Sequence, residues 1–270
     1  MFSALKKYLL IPRLIRLSSA APKDPLTAWD KYWGNVRSTG ATGDVLWDSG
    51  SAHELDGYLP RLLQLDPTLP IVDVGCGNGS FTRLLAQHFP HALGLDYSAN
   101  AVDRARQEAA GITTASFAVC DLTAPDAART VATALEAAGW TGNANVFIRG
   151  VLHVLDRSGQ ASLAANLLPV VGTRGGVFLA ETNFPGTPVD YVSHLGATRK
   201  FIPAPLEGAI RGLPMPGRFG AAQRAKAFPT SDWNLVEEGS TNIETRPLSN
   251  PSSPDLIPGY YALLRARQPK

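Results

Sequence analysis

The sequence predicts an α/β fold with a doubly wound, Rossmann-like, mostly parallel sheet of seven strands that ends in an antiparallel strand pair. Three observations support this prediction. From about residue 70, short apolar runs alternate with segments of helical period. Strands separated by helices of roughly 10 to 15 residues need right-handed crossovers and therefore lie parallel. The last two apolar runs have no helix between them, which suits an antiparallel pair at a sheet edge.

The individual elements follow in order. The predicted strands of the core are PIVDVG, HALGLD, TTASFAVCD, ANVFIRG and GGVFLAETN. The predicted helices between them are SFTRLLAQHF, SANAVDRARQEAAG, DAARTVATALEAAG and SGQASLAANLLPVV. Ser98 is a natural N-cap for the second helix, Gly111 and Gly139 end the second and third, and the fourth ends near Pro169. The final pair of strands is WNLVEEGSTNIETR and GYYALLRARQ.

Shifts in composition divide the chain into five predicted segments. A basic leader or extension covers residues 1–25, and an aromatic-rich helical cap covers residues 26–66. The alternating core spans residues 67–183. Residues 184–230 are rich in proline and glycine and are predicted to be an insertion, and residues 231–270 hold the last two strands.

The composition narrows the class of protein. With 270 residues, 44% apolar and 18% charged, the chain is long enough for a sizeable folded core. Its 25 Lys and Arg residues nearly balance its 23 Asp and Glu residues, which disfavours nucleic acid as a partner. Two cysteines, Cys76 and Cys120, indicate a reducing compartment, and we expect a cytoplasmic protein. No metal-ligand spacing and no run long enough for a membrane span is present.

The N-terminus is basic, MFSALKKYLLIPRLIRLSSAAPKDP, and its first acid is Asp24. Three interpretations stay open. The segment is a helical extension of a cytoplasmic protein, a mitochondrial presequence, or a basic amphipathic segment that associates weakly with a membrane or partner surface through residues 1–24.

The stretch IVDVGCGNGSFTRLLA places three alternate glycines, Gly75, Gly77 and Gly79, directly after the first strand. Ligands of open parallel sheets bind at the carboxyl ends of the strands. The spacing G-x-G-x-G is one residue shorter than the dinucleotide fingerprint G-x-G-x-x-G, and the lysine of a phosphate-binding P-loop is absent. Asp73, inside the strand, suits a ligand with an ammonium group better than a pyrophosphate.

Two more acids end the next two strands. Asp96 lies where a carboxylate binds the vicinal hydroxyls of a ribose. Tyr97 follows it and is placed to stack on a base. Asp121 ends the third strand, where a carboxylate can accept a hydrogen bond from an exocyclic amine such as that of adenine.

These motifs resemble those of class I S-adenosylmethionine-dependent methyltransferases. VDVGCGNGS is similar to the first motif of that family, LGLDYS to the second and AVCDLT to the third. FIRGVLHVLDRSG and LLPVVGTRGGVFLAETN are similar to the segments that follow. The resemblance spans residues 67–183 and implies S-adenosyl-L-methionine as cofactor. It implies the following cofactor-binding residues: Asp73, Gly75, Gly77, Gly79, Asp96, Tyr97, Asp121, Leu122 and Arg149.

The acceptor of the methyl group is less well defined. The aromatic cap supplies Trp33 and Trp47 as candidate substrate contacts, and the insertion supplies Tyr191 and His194. VLWDSG also resembles a segment of thiopurine- and thiol-type small-molecule methyltransferases. The resemblance and the mostly apolar residues of the insertion predict a small organic acceptor, with oxygen, sulfur, nitrogen and carbon all open as the methylated atom.

His153, after the fourth strand, is the candidate general base, although a packing role for it is also open. Two other functions stay under consideration. One is a protein of the same fold that binds S-adenosylmethionine without catalysis. The other is a nicotinamide-dependent oxidoreductase, which the glycine spacing disfavours. The sequence does not indicate the oligomeric state.

Overall fold

The computed structural model describes residues 7–248 and 252–267, and its central feature is a seven-stranded sheet. The strand order is β3-β2-β1-β4-β5-β7-β6. The first five strands are parallel, and β7 runs antiparallel to both β5 and β6. The predicted fold class is therefore confirmed. The strands are β1 (Ile71–Val74), β2 (Ala92–Asp96), β3 (Ala115–Val119), β4 (Asn145–Arg149), β5 (Val177–Thr182), β6 (Trp233–Glu244) and β7 (Leu256–Ala266).

Helices surround the sheet and connect its strands. Short 3-10 turns occupy Lys7–Leu10 and Leu152–Val154. The α-helices are α1 (Ile11–Ser18), α2 (Pro25–Asn35), α3 (His53–Leu62), α4 (Ser80–Leu85), α5 (Ala99–Glu108), α6 (Ala127–Ala137), α7 (Arg157–Val171), α8 (Pro188–His194), α9 (Ala204–Gly212) and α10 (Ala221–Ala227).

One helix end differs from the sequence prediction. Helix α4 ends at Leu85, and the chain continues in turns to the buried Phe89. Helix α7 runs through Pro169 to Val171, the last residue of its predicted segment, and the Gly172 amide bonds to the Leu168 carbonyl (2.9 Å).

Alternate residues of each strand enter opposite cores, as the period of two requires. Val146 and Ile148 of β4 pack on one face against α6, α7 and α10. Phe147, between them, packs on the other face with α1, α3, α4, α8 and α9. Because both faces are covered, the parallel strands are apolar almost throughout.

The N-terminal region is part of this packing. Leu10, Leu14 and Leu17 are buried against α8 and α9, so the described part of the predicted leader is an ordered helix of the fold. Residues 1–6 of that leader lie outside the described residues, as do 249–251 and 268–270 of the predicted last segment. No helix in the described ranges is both long and apolar enough to cross a membrane.

Candidate cofactor and acceptor site

A cavity of about 230 Å³ lies at the carboxyl ends of the parallel strands, beneath α2, α8 and α9. It has two chemically different halves. The first, called here the strand-end half, is lined by acids, glycines and their neighbours: Asp73, Gly75, Cys76, Gly77, Asn78, Asp96, Tyr97, Asp121, Leu122 and Arg149. The second, called here the apolar half, is lined by Trp33, Trp47, Phe81, Phe147, Tyr191, Val192, Leu206, Ile210, Leu213, Met215, Ile243 and Ile257.

The glycine turn brings backbone to the cavity. Gly75 (φ +68°) and Gly77 (φ +54°) are left-handed, a conformation that other residues adopt at a cost. A Cβ on Gly77 would lie 2.6 Å from Cζ2 of Trp33, so only glycine fits beneath that indole. Gly79 precedes α4 and packs against the Phe117 ring, where a Cβ would lie 2.6 Å from Cε1. Glycine at these two positions therefore lets Trp33 and Phe117 pack directly on the backbone of the turn.

Asp96 faces the cavity from the end of β2. Its Oδ2 accepts the Gly77 amide (3.0 Å), and its Oδ1 accepts the Ser98 amide (2.9 Å). Each oxygen keeps a lone pair for a further donor. Burial raises the pKa of this carboxyl to about 6. The two oxygens, fixed by backbone amides, are spaced to accept a pair of vicinal hydroxyls.

Asp73 lies deeper, in β1, and is 2% exposed. Its Oδ2 accepts the Thr82 hydroxyl (2.5 Å). Burial raises the pKa of Asp73 to about 7, and the negative charge of Asp96 adds to the shift. No Lys or Arg of the described chain forms an ion pair with it. A buried carboxyl without a counter-cation is suited to a cationic ligand.

Asp121 and Tyr97 form the far end of the strand-end half. Oδ1 of Asp121 accepts the amide (2.9 Å) and hydroxyl (2.7 Å) of Thr123, which fixes the carboxylate plane. The Tyr97 hydroxyl donates to the Pro25 carbonyl (3.3 Å), so its ring is held between β2 and the start of α2. Leu122 lines the cavity beside them. A flat aromatic ligand between these groups would contact the ring of Tyr97 and could donate a hydrogen bond to the carboxylate of Asp121.

Aromatic residues of the cap roof the cavity. Trp47 lies 5.4 Å from the ring of Tyr32 in a stacked arrangement, and Trp33 stands over Gly77. The cap is fastened to the glycine turn by Asp48, whose Oδ2 accepts the Asn78 side-chain amide (2.8 Å). Trp33 and Trp47, predicted as substrate contacts, therefore both line the cavity.

Arg149 also lines the cavity, but most of its donors are used within the protein. It forms a two-point ion pair with Glu54 (2.9 and 2.6 Å) and donates to the carbonyls of Trp47 (2.9 Å) and Glu244 (2.8 Å). Its guanidinium carbon lies 5.0 Å from the centre of the Phe81 ring. Four of its five N–H groups are thus engaged, and one is left for a ligand. The predicted role of Arg149 along the methionine part stays a prediction.

His153 is held by a buried acid. Its Nδ1 lies 2.7 Å from Oε2 of Glu181, whose side chain is 0% exposed. Glu181 also accepts the backbone amides of Val151 (3.0 Å), Leu152 (2.8 Å) and His153 (3.2 Å). A carboxylate that accepts from Nδ1 favours the tautomer with its proton on Nδ1, and this tautomer has a lone pair on Nε2. His153 lines the cavity.

The two residues predicted from the insertion are placed differently. Tyr191 of α8 lines the cavity beside Phe184, and burial raises its pKa to about 12. His194, three residues later, is exposed, and its Nε2 bonds to the Leu256 carbonyl (2.7 Å). It does not line the cavity. The two side chains are neighbours on α8 and both contact the Phe184 ring, but His194 is the last residue of the helix and bonds to the start of β7.

Sequence reasoning missed the partners that hold these groups. The sequence pattern indicates neither Glu54 as the partner of Arg149 nor Glu181 as the partner of His153. An arginine inside an apolar strand signals a buried acid, but the sequence offers no means of choosing Glu54 among the 23 acids. Asp48 lies in VLWDSG, yet its bond to Asn78 was not predicted.

The sheet order, the glycine turn and the strand-end acids together define a class of enzyme: the chain is a class I S-adenosylmethionine-dependent methyltransferase. Residues 71–159 match the family model described as a methyltransferase domain. S-adenosyl-L-methionine is the cofactor of this class, so the nicotinamide alternative is set aside. No curated protein sequence matches the chain significantly.

Solved structures support the class. The chain is similar to an S-adenosylmethionine-dependent methyltransferase from Anabaena variabilis ATCC 29413, with 26% identity over 92% of this chain and 98% of that chain, and a TM-score of 0.75. It is also similar to magnesium protoporphyrin IX methyltransferase from Synechocystis PCC 6803 with bound S-adenosylhomocysteine. There the identity is 16%, the coverage 89% of this chain and 93% of that chain, and the TM-score 0.51, a likeness that shows the fold alone.

Proposed function

We propose that this enzyme methylates a small, largely apolar and uncharged acceptor at an oxygen or nitrogen atom. One observation supports this proposal above all. The strand-end half, which suits the cofactor, and the apolar half are parts of one continuous cavity. An acceptor seated in the apolar half would lie beside both the cofactor and Nε2 of His153.

The residues present fit the cofactor. Asp96 would bind the ribose hydroxyls, Asp73 the ammonium group, and Asp121 with Tyr97 the adenine; all four residues line the cavity. Aromatic faces at the roof favour a sulfonium cation by cation–π attraction.

Charge narrows the acceptor class. Of the described residues that line the cavity, Arg149 is the one Lys or Arg, and Glu54 neutralises it. An acceptor carrying a carboxylate or phosphate would therefore enter a site with acids and no available cation. Neutral aromatic or aliphatic molecules would instead gain from contact with residues such as Phe147, Met215 and Ile257.

When bound, S-adenosylmethionine supplies an activated methyl group on its sulfonium for in-line displacement. The protein has three tasks. The strand-end half binds and orients the cofactor, the aromatic roof excludes water, and the cavity walls align the acceptor, which can contribute about 7 to 11 kcal/mol. Nε2 of His153 takes the proton from an attacking hydroxyl or N–H group, while Glu181 stabilises the imidazolium that results.

Turnover on matched acceptors tests this proposal. We expect methyl transfer from labelled S-adenosylmethionine to neutral phenols or heteroaromatic N–H compounds, and little transfer to the same compounds bearing a carboxylate. Preferential methylation of the carboxylated partners would contradict the proposed acceptor class. Cofactor binding without transfer to any acceptor of the panel would instead favour the silent binding protein. A cytoplasmic location stays a prediction.

Cofactor binding should depend on pH. Only the ionised forms of Asp96 and Asp73 accept two hydroxyls and attract an ammonium group. Their raised pKa values, about 6 and about 7, mean that protonation competes with binding as the pH falls. For each pH unit below its pKa, each of the two carboxyls should lower the affinity for S-adenosylhomocysteine by up to about tenfold. Calorimetric titrations between about pH 5 and about pH 8 measure the effect.

The stability of the cofactor-free protein should show the opposite trend. Because both folded pKa values lie above 3.8, the ordinary value of an aspartate side chain, the stabilisation from these groups is complete below that pH and is lost as pH rises through about 6 to 7. Asp73→Asn should flatten this part of the stability profile. In the calorimetric titrations, an affinity for S-adenosylhomocysteine that is independent of pH between about pH 5 and about pH 8 would contradict the assignment of these two carboxyls to the cofactor.

A further inference from the structure

Helix α1 is apolar on two sides, and only one of them is covered. Leu14 and Leu17 are buried in the core shared with α8 and α9. On the outer side, Leu9, Ile11 and Ile15 are 55%, 38% and 63% exposed. Single exposed apolar residues are ordinary, but several on one side of a single helical segment mark a surface with a binding role.

The charges around this outer side are basic. Arg16 and Lys23 are exposed, and the first acid of the chain is Asp24. Arg13 differs from them because it is directed inwards and paired with Glu207 of α9 (3.2 Å). The helix is thus anchored by one arginine, while its outer apolar residues are bordered by cations.

A second segment extends the same surface. Phe201 is 60% exposed and follows two exposed cations, Arg199 and Lys200. Phe201 lines a shallow groove together with Ala20 and Pro22, the residues that follow α1. The loop 199–201 therefore lies beside the end of α1 and repeats its combination of an exposed apolar residue and basic neighbours.

We propose that α1 and the loop 199–201, together called here the α1 face, dock on an anionic lipid bilayer. Side chains such as Ile15 and Phe201 would enter the boundary between headgroups and acyl chains, while Arg16 and Lys200 would contact anionic headgroups. The complementary charge favours this occupant over a second copy of the chain, which would bring its own basic residues against them.

The α1 face lies close to the cavity, because a single helix separates them. Helix α9 packs against α1 on its outer side. Its Leu206 and Ile210 line the cavity on the inner side. A docked bilayer would therefore lie one helix away from the apolar half. The docking does not depend on the proposed acceptor, because it involves no residue assigned to catalysis.

Vesicle sedimentation of the full chain tests the proposal. We expect binding to phosphatidylcholine vesicles that contain phosphatidylglycerol, little binding to phosphatidylcholine alone, and release by high salt. The double variant Ile11→Ser and Ile15→Ser should lower the partition coefficient by at least about tenfold. The matched control is Leu63→Ser. Leu63 directly follows α3 and is an apolar residue with 59% exposure, so this variant should bind as the wild type does.

Two results would overturn the proposal. One is equal sedimentation of the double variant and the wild type, with S-adenosylhomocysteine binding showing that both are folded. The other is absence of vesicle binding by the wild type. If analytical ultracentrifugation then shows a dimer that the double variant loses, the α1 face is an interface between copies and not a lipid-docking surface.

Discussion

Replacing His153 by alanine should lower kcat by about 10² to 10⁴, the range that general acid–base catalysis contributes. The physical reason is the lone pair of Nε2, which faces the cavity because Nδ1 is held by Glu181 at 2.7 Å. The dissociation constant for S-adenosylhomocysteine should change little, because the strand-end half is untouched. Single-turnover methyl transfer with a neutral phenolic acceptor, together with calorimetric titration, measures both quantities.

The pH profile separates a base from a packing residue. If the histidine is the base, the profiles of kcat against pH of the wild type and of His153→Ala should differ, because the variant lacks the proton acceptor. Added imidazole should restore part of the rate if the missing group is a proton acceptor. Unchanged kcat and an unchanged profile in the variant would mean that the histidine and Glu181 serve the fold and not the reaction.

The second large effect is expected at Arg149, where substitution by methionine should destabilise the fold by about 3 to 5 kcal/mol. That is the cost of leaving one partner of a buried ion pair without its counter-charge. The side chains of Arg149 and Glu54 are 7% and 2% exposed, and the arginine also satisfies the carbonyls of Trp47 and Glu244. Urea unfolding of the cofactor-free protein measures the loss.

A matched double variant distinguishes charge from volume. Arg149→Met combined with Glu54→Gln removes both charges and should recover part of the lost stability, since no uncompensated charge stays buried. Arg174→Met is a suitable control, because its pair with Asp66 lies at the surface, where solvent screens the charges and the contribution to stability is small. A loss at Arg149 as small as that at Arg174 would contradict this account of the buried pair.

The strand-end half could be predicted because its information is local. Gly75, Gly77 and Asp96 each stand within a few residues of a strand end, and parallel strands bring their carboxyl ends together. Helix boundaries were predicted less well. Helix α4 ends at Leu85, before the predicted AQHF, where the chain turns and buries Phe89, an effect of tertiary packing that local propensity does not contain.

The rest depends on contacts between distant residues. Glu181 is 28 residues from His153, and Glu54 is 95 residues from Arg149, so neither pair leaves a spacing signal in the sequence. His194 shows a second limit. It was a candidate substrate contact, but it ends a helix of seven residues and bonds to the Leu256 carbonyl, a partner 62 residues away that the sequence does not indicate.

The central claim is that the strand-end half binds S-adenosylmethionine through Asp96, and calorimetric titration tests it most directly. The wild type should bind S-adenosylmethionine and S-adenosylhomocysteine but not NAD. Asp96→Asn, which keeps the shape of the side chain, should weaken both by at least about tenfold, and thermal unfolding of the ligand-free variant checks that it is folded. Equal affinity in Asp96→Asn, or binding of NAD in preference to the sulfur ligands, would contradict the account.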